Sequence, residues 1–194
     1  MLVVTSASAS TIDSLIAANG ELRYDEFFLE AMVQRQKGNH DAAFDLLKYC
    51  TKLRPGASEA YYFLSQYYQM LRNDSLAQQC LMKAVELEPA NATFLETMAQ
   101  SYINNQEYDK AIGVVEKLYA QDRSREELLE MLFELYQQTN DNEKAIETLN
   151  RMEAAEGKSE RLSQAKAELF TKMGNKQAAI AEMQALAQQY PNDL

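Results

Sequence analysis

The three prolines set a ruler for this chain. Pro55 and Pro89 stand 34 residues apart, and Pro191 lies three such periods beyond Pro89. The stations between them hold Arg123 and Gly157, a polar residue and a helix breaker, as loops require. Counted back from that ruler, repeats begin at Tyr24, Ser58, Ala92, Glu126 and Glu160, with no insertion anywhere. A unit this short buries too little apolar surface to stand alone, so such units must stack on their neighbours.

Columns taken at the same spacing agree with the ruler. The twentieth station is alanine throughout: Ala43, Ala77, Ala111, Ala145 and Ala179. The eighth is Ala31, Ser65, Ala99, Phe133 and Ala167, and the twenty-fourth is Leu47, Leu81, Val115, Leu149 and Met183. The eleventh is aromatic in four of five: Gln34, Tyr68, Tyr102, Tyr136 and Phe170. Small residues on two facing helices let their axes approach closely. With only 6 Gly and 3 Pro, abundant helix formers and no period-two alternation, the chain is predicted to be all-α.

These residues resemble the tetratricopeptide repeat family over residues 24–193, most closely in the second unit, through Tyr61, Leu64, Ser65, Tyr68, Ala77, Leu81, Ala84 and Pro89. The resemblance implies a right-handed superhelical solenoid, an α–α superhelix of about five helix–turn–helix repeats. The organisation expected is repeats at 24–57, 58–91, 92–125, 126–159 and 160–194, the last a truncated end of the array. A lead-in at 10–23 carries a short helix over 11–19 (Ile12, Leu15, Ile16), expected to pack on the open face of the first repeat. The end repeats depart from the family pattern. Glu30 and Gln34 occupy apolar stations with Leu29 one place away, and Ser163 and Lys166 do so with a shifted stripe of Leu162, Ala165 and Leu169. Phe133 at a small station predicts a wider helix pair.

Residues fit for catalysis are sparse and scattered. The one histidine, His40, is placed in a solvated turn, and Cys50 and Cys80 are thirty residues apart without a CxxC, so no metal site is predicted. There is no phosphate loop and no GxSxG. Asn140-Asp141-Asn142-Glu143 lacks the central glycine of a calcium loop and falls where an inter-helix turn is needed. Glu126, Glu127, Glu130 and Glu134 form the densest acidic cluster, with no apolar pocket predicted around it and no nearby base. The expectation is a protein without catalytic residues, metal or cofactor. A net charge of −10 disfavours nucleic acid and anionic membrane surfaces as partners, and no apolar run is long enough to span a bilayer.

The resemblance places the second, fifth, ninth, twelfth and thirteenth stations of each first helix on a concave groove. Carried over, the partner-binding residues are Phe28, Met32, Tyr62, Gln66 and Met70, then Glu96, Gln100, Glu127, Glu130 and Glu134, with Arg161, Gln164, Glu168 and Lys172 at the far end. The Lys and Asn stations with which chaperone-adaptor members grip a peptide carboxylate are occupied by other residues. The function expected is a scaffold binding a neutral or basic protein or peptide segment. The alternative is an assembly component, of a larger repeat protein or a cell-envelope complex, that docks, self-associates or continues into further repeats through an open C-terminal end. Residues 1–9 are either disordered or the tail of a secretory signal, Met1-Leu2-Val3-Val4 followed by an A-x-A pattern ending at Ala9. The second reading implies a periplasmic or envelope location and the first a cytoplasmic one.

Overall fold

The structure, a computed structural model, describes residues 24–189; the segment 1–9, the helix expected over 11–19 and residues 190–194 lie outside the described residues. Ten helices and no strand are found among the described residues: α1 Tyr24–Gln36, α2 His40–Leu53, α3 Ser58–Met70, α4 Asp74–Leu87, α5 Ala92–Asn104, α6 Tyr108–Gln121, α7 Glu127–Gln138, α8 Asn142–Glu156, α9 Glu160–Lys172 and α10 Lys176–Gln189. Two compact units divide the chain within α5, one ending at Met98 and the other beginning at Ala99. In the first, α1 packs on α2, α2 on α3, and α3 on α4; in the second, α6 packs on α7, α7 on α8, α8 on α9, and α9 on α10.

Every odd-numbered helix ends in the same way. Gly38, Arg72, Gln106, Asn140 and Gly174, 34 residues apart, all hold positive φ, between 56° and 78°. The next residue's N–H returns five residues to a carbonyl, at Gln34, Tyr68, Tyr102, Tyr136 and Phe170, over 2.8–2.9 Å. This is the Schellman closure, in which one left-handed residue lets the last free carbonyls of a helix find donors. Side chains then open the following helix: Asn73 accepts from the Leu76 amide, Asp141 from Lys144 and Asn175 from Ala178. The Asn140–Glu143 stretch is therefore a helix stop and start. His40 does not lie in the turn itself but opens α2, exposed, its ring 5.9 Å from that of Tyr67.

The small-residue columns set the helix contacts. Ala43, Ala111 and Ala145 are completely buried, as are Leu47 and Val115, whereas Ala77 and Phe133 are half-buried. Cys50 is also fully buried and Cys80 half-buried; both are free thiols, and burial pushes that of Cys50 up to about 11, leaving it unreactive at neutral pH.

Both anomalous end repeats need correction. Leu29 does not substitute for Glu30, since it is 66% exposed; instead Gln34 is buried and donates to Glu30 while accepting from Asn39. In α9 the leucines of the expected stripe are buried and Ala165 half-buried, but the stripe does not displace the regular stations. Leu162, Ser163, Lys166 and Leu169 are all buried, so polar residues occupy the core stations themselves. They are satisfied there. The Lys166 ammonium pairs with the Glu153 carboxylate, donates to Asn150 Oδ1 at 3.2 Å and lies 3.2 Å from Glu182. Lys158 bridges the same two carboxylates at 3.1 and 2.6 Å, and the Ser163 hydroxyl donates to Glu182 at 3.0 Å. A buried charge is tolerated only when paired and hydrogen-bonded, and here α8, α9, α10 and the linker each contribute to the network. Hydrogen bonding from Lys166 holds the Glu153 carboxyl below its ordinary range. For Glu182, burial acts upward but is outweighed by hydrogen bonds from Lys158, Lys166 and Ser163.

Candidate partner-binding surfaces

In the first unit the odd-numbered helices carry a row of rings. Tyr24 stacks on Phe28 at 5.6 Å, Phe28 meets Phe63 at 5.9 Å, Phe63 meets Tyr62 at 5.4 Å, and Tyr62 stacks on Phe94 at 4.8 Å. The row runs from α1 across α3 to the start of α5 because each helix contributes a ring at an adjacent station. Arg35 covers it, its guanidinium carbon 4.7 Å from the Phe63 centroid, and donates to Gln66 Oε1 at 2.9 Å. Arg35 therefore couples a cation, an amide and an aromatic face in one patch.

Of the residues expected here, Phe28 and Tyr62 are members of the row, half-buried, and Gln66 joins through Arg35. Met32 is half-buried against the core of this unit, and Met70 is exposed and outside the row. Glu96 is exposed on α5. Sequence reasoning passed over Tyr24, Phe63, Phe94 and Arg35. Arg35 occupies the twelfth station of its repeat, so the groove pattern itself pointed to it. Phe63 and Phe94 occupy the sixth and third stations, which are not among the groove stations, and only the ring contacts reveal them.

In the second unit Glu127, Glu130 and Glu134 are exposed along α7. Contrary to the expectation that no apolar pocket adjoins them, a pocket of about 250 Å³ opens between α7 and α8, with Leu129, Met152 and Ala155 as its apolar part and Glu126, Glu127, Glu130 and Glu156 around it. A hydrogen bond from Arg125, whose Nε lies 2.7 Å from Glu127 Oε1, lowers the Glu127 pKa instead of raising it. Arg161 reaches across from α9 to Glu156 at 3.0 Å and to Glu130 at 3.6 Å. Glu134 is one turn further along α7 and does not line the pocket; Gln100 is exposed on α5, donating to Asn104 at 2.9 Å. Beyond it Gln164, Glu168 and Arg161 border an open hollow on α9, and Lys172 donates to Asn140 at 3.2 Å.

No group of three or more His, Cys, Asp or Glu side chains suited to a metal occurs among the described residues. No helix among them is long and apolar enough to cross a membrane.

Profiles of the tetratricopeptide repeat match residues 58–91, 102–169 and 165–193. A comparison with curated proteins found no match. Among solved structures, a MamA protein is 18% identical, with 88% of this chain and 96% of that one covered at a TM-score of 0.59. MamA from Desulfovibrio magneticus RS-1 is 14% identical over 88% and 97%, at 0.57. YrrB, a TPR protein with an unusual peptide-binding site, is 12% identical over 96% and 95%, at 0.62. At such identities the likeness concerns the fold alone, and the fold is the all-α superhelical solenoid of tandem helix pairs. With profiles matching on both sides of the division between its units, the chain belongs to the tetratricopeptide repeat family.

Proposed function

We propose that this protein is a non-catalytic scaffold that binds a protein or peptide segment on the walls formed by its odd-numbered helices, and that the wall of the second unit takes a basic segment. The observation that carries this is the pocket between α7 and α8, four carboxylates around an apolar floor. A lysine or arginine side chain has the same construction, an aliphatic stem ending in a cation. Arg161 already lies between two of those carboxylates, which marks the place a ligand cation would take. The peptide-binding site for which YrrB is known supports the reading by analogy of fold. In the first unit the ring row and Arg35 offer broad contact area at small entropic cost, suited to the neutral, apolar part of a ligand. An envelope setting after export belongs to the same proposal and rests on the pattern of residues 1–9.

The test is titration of a fluorescent Lys/Arg-containing peptide and its Glu-substituted counterpart into the protein. Replacing Glu130 and Glu134 by Lys is expected to weaken binding of the basic peptide with the melting temperature nearly unchanged, since both side chains are exposed. Replacing Arg161 by Gln is expected to strengthen it by removing the resident competitor. Tight, salt-independent binding of the acidic peptide would refute the reading. The assembly alternative has its own observation in α10, where Ile180 and Met183 are exposed beside an uncharged hollow.

A further inference from the structure

The polar groups on the ring row of the first unit share one property: each has a proton to give and little capacity left to accept one. Arg35 is exposed, and its Nη2 donates to Gln66 Oε1 at 2.9 Å. Its remaining N–H groups meet no acceptor among the described residues, and it forms no ion pair there. Gln66 commits its carbonyl oxygen to that bond and keeps its amide donors. The Tyr62 hydroxyl makes one long contact, 3.5 Å to Thr97, whose own proton goes to the Thr93 carbonyl at 2.8 Å. The Tyr62 O–H is therefore open to a better acceptor. These donors stand on rings: the Arg35 guanidinium carbon lies 4.7 Å from the Phe63 centroid, and Tyr62 stacks on Phe94 at 4.8 Å.

A wall of donors over aromatic faces fits a ligand that brings acceptors, no N–H of its own and an apolar surface. An ordinary backbone carries an N–H at every residue, and one held against this wall would find nothing to receive it. Proline has a carbonyl and no N–H, and a proline-rich segment keeps its carbonyls free along a polyproline II helix. We infer that the row of Phe28, Phe63, Tyr62 and Phe94, with Arg35, Tyr62 and Gln66 as donors, binds a proline-rich segment of a partner protein in the polyproline II conformation. Such a helix repeats every three residues, about 9 Å. The rings follow one another in steps of 5.9, 5.4 and 4.8 Å, so there is room for a turn that lays pyrrolidine rings on aromatic faces. Being stiff before it binds, the segment loses little freedom on the wall. A carboxylate also brings acceptors only, but Asp25 and Glu59 act on Tyr24 at one end of the row, and the chain carries a net charge of −10. An anion is repelled there, and a neutral carbonyl is not. This assignment rests on the wall of the first unit being a ligand surface, as proposed above, and not on the acidic pocket of α7.

The probe is an end-blocked proline decamer, titrated into the isotopically labelled full chain beside a counterpart in which alternate prolines are alanine, restoring N–H groups. Saturable binding of the proline peptide is expected, almost indifferent to salt, with shifts concentrated at Phe28, Arg35, Tyr62, Gln66 and Phe94. The alanine-containing peptide is expected to bind several-fold more weakly. Tyr62→Phe keeps the ring and removes the donor, and is expected to weaken proline binding by roughly fivefold; Arg35→Gln is expected to weaken it by roughly tenfold. Thermal melts should change little, since one variant keeps its ring and Arg35 is exposed. Neither variant should alter affinity for the basic peptide of the preceding section. Three results would overturn the inference: no shifts along the row with the proline peptide, equal affinity for the alanine-containing one, or tighter binding of a proline peptide carrying two aspartates, which would make a carboxylate the occupant. If the basic peptide still binds in any of these cases, only the proline assignment falls; failure of both ligands to bind takes the scaffold reading with it.

Discussion

The left-handed residues that close the odd-numbered helices do the same job with different chemistry. Gly38 and Gly174 adopt positive φ without a Cβ clash and Asn140 is among the residues that tolerate it, whereas Arg72 and Gln106 pay a steric cost of about 1 kcal/mol for the same conformation. Gln106→Gly is therefore expected to stabilise the protein by about 0.5–1 kcal/mol, and Gly174→Ala to destabilise it by about 1 kcal/mol through the backbone alone. The space beside Gly174 is open, so the second effect comes from its positive φ and not from a neighbouring side chain. Urea denaturation of the two variants checks both signs. At Ala111 the reverse holds: its surroundings are closed, and Ala111→Leu should overpack the junction and cost about 1–3 kcal/mol. A parent-like midpoint for that variant would contradict the burial.

Among the elements, α9 departs furthest from its repeat, because it is seated by charges. Lys166 occupies the seventh station, which is leucine in α3 and α7, and is held by Asn150 and Glu153 of α8 and Glu182 of α10. Lys166→Ala would leave Glu153 and Glu182 short of a cation in a mostly buried site, and is expected to cost about 3 kcal/mol. The network also makes the seating of α9 sensitive to acid. Glu153 and Glu182 both have folded pKa values below their ordinary ones, so their contribution is complete above the unfolded glutamate pKa of about 4.3 and is lost as pH falls through the lower folded values. Hydrogen exchange followed downward from neutrality should therefore show α9 and α10 losing protection, relative to α7, once the pH drops below about 4. Glu153→Gln and Glu182→Gln together should flatten that difference while lowering stability at neutral pH. An acid response confined to other helices would show that the network does not control the docking of α9.

For the molecule as a whole, stability and binding follow the direction of the array. In the second unit α7 packs on both α6 and α8, whereas α10 packs on α9 and, among the described residues, leaves Ile180 and Met183 exposed. Exchange in dilute protein should accordingly be slowest in α7 and fastest in α10 within that unit. Uniform protection across both helices would indicate that α10 is covered in solution. Binding of a basic peptide to the α7 wall involves exposed carboxylates, whose field is screened over about 8–10 Å at ordinary ionic strength, so its affinity should fall steadily as salt rises.

The helices, their turns and the close alanine contacts were legible in the sequence because each depends on residues a fixed distance apart in the chain. Helix periodicity, the 34-residue return of Ala43, Ala77, Ala111, Ala145 and Ala179, and the turn at Asn140–Glu143 need no knowledge of distant partners. The polar residues of α9 misled for the opposite reason. Ser163 and Lys166 read as surface residues until Glu153, Asn150, Lys158 and Glu182 are brought around them by three other segments, and burial of a charge depends on that set alone. The same holds for the ring row and its Arg35, assembled from three helices, and for the pocket under Glu127 and Glu130, whose apolar floor comes partly from Met152 and Ala155 of the next helix. Local pattern determined where each helix runs and what it is made of; only tertiary packing decided which side chains share a space, because that depends on neighbours brought near by folding and not by sequence.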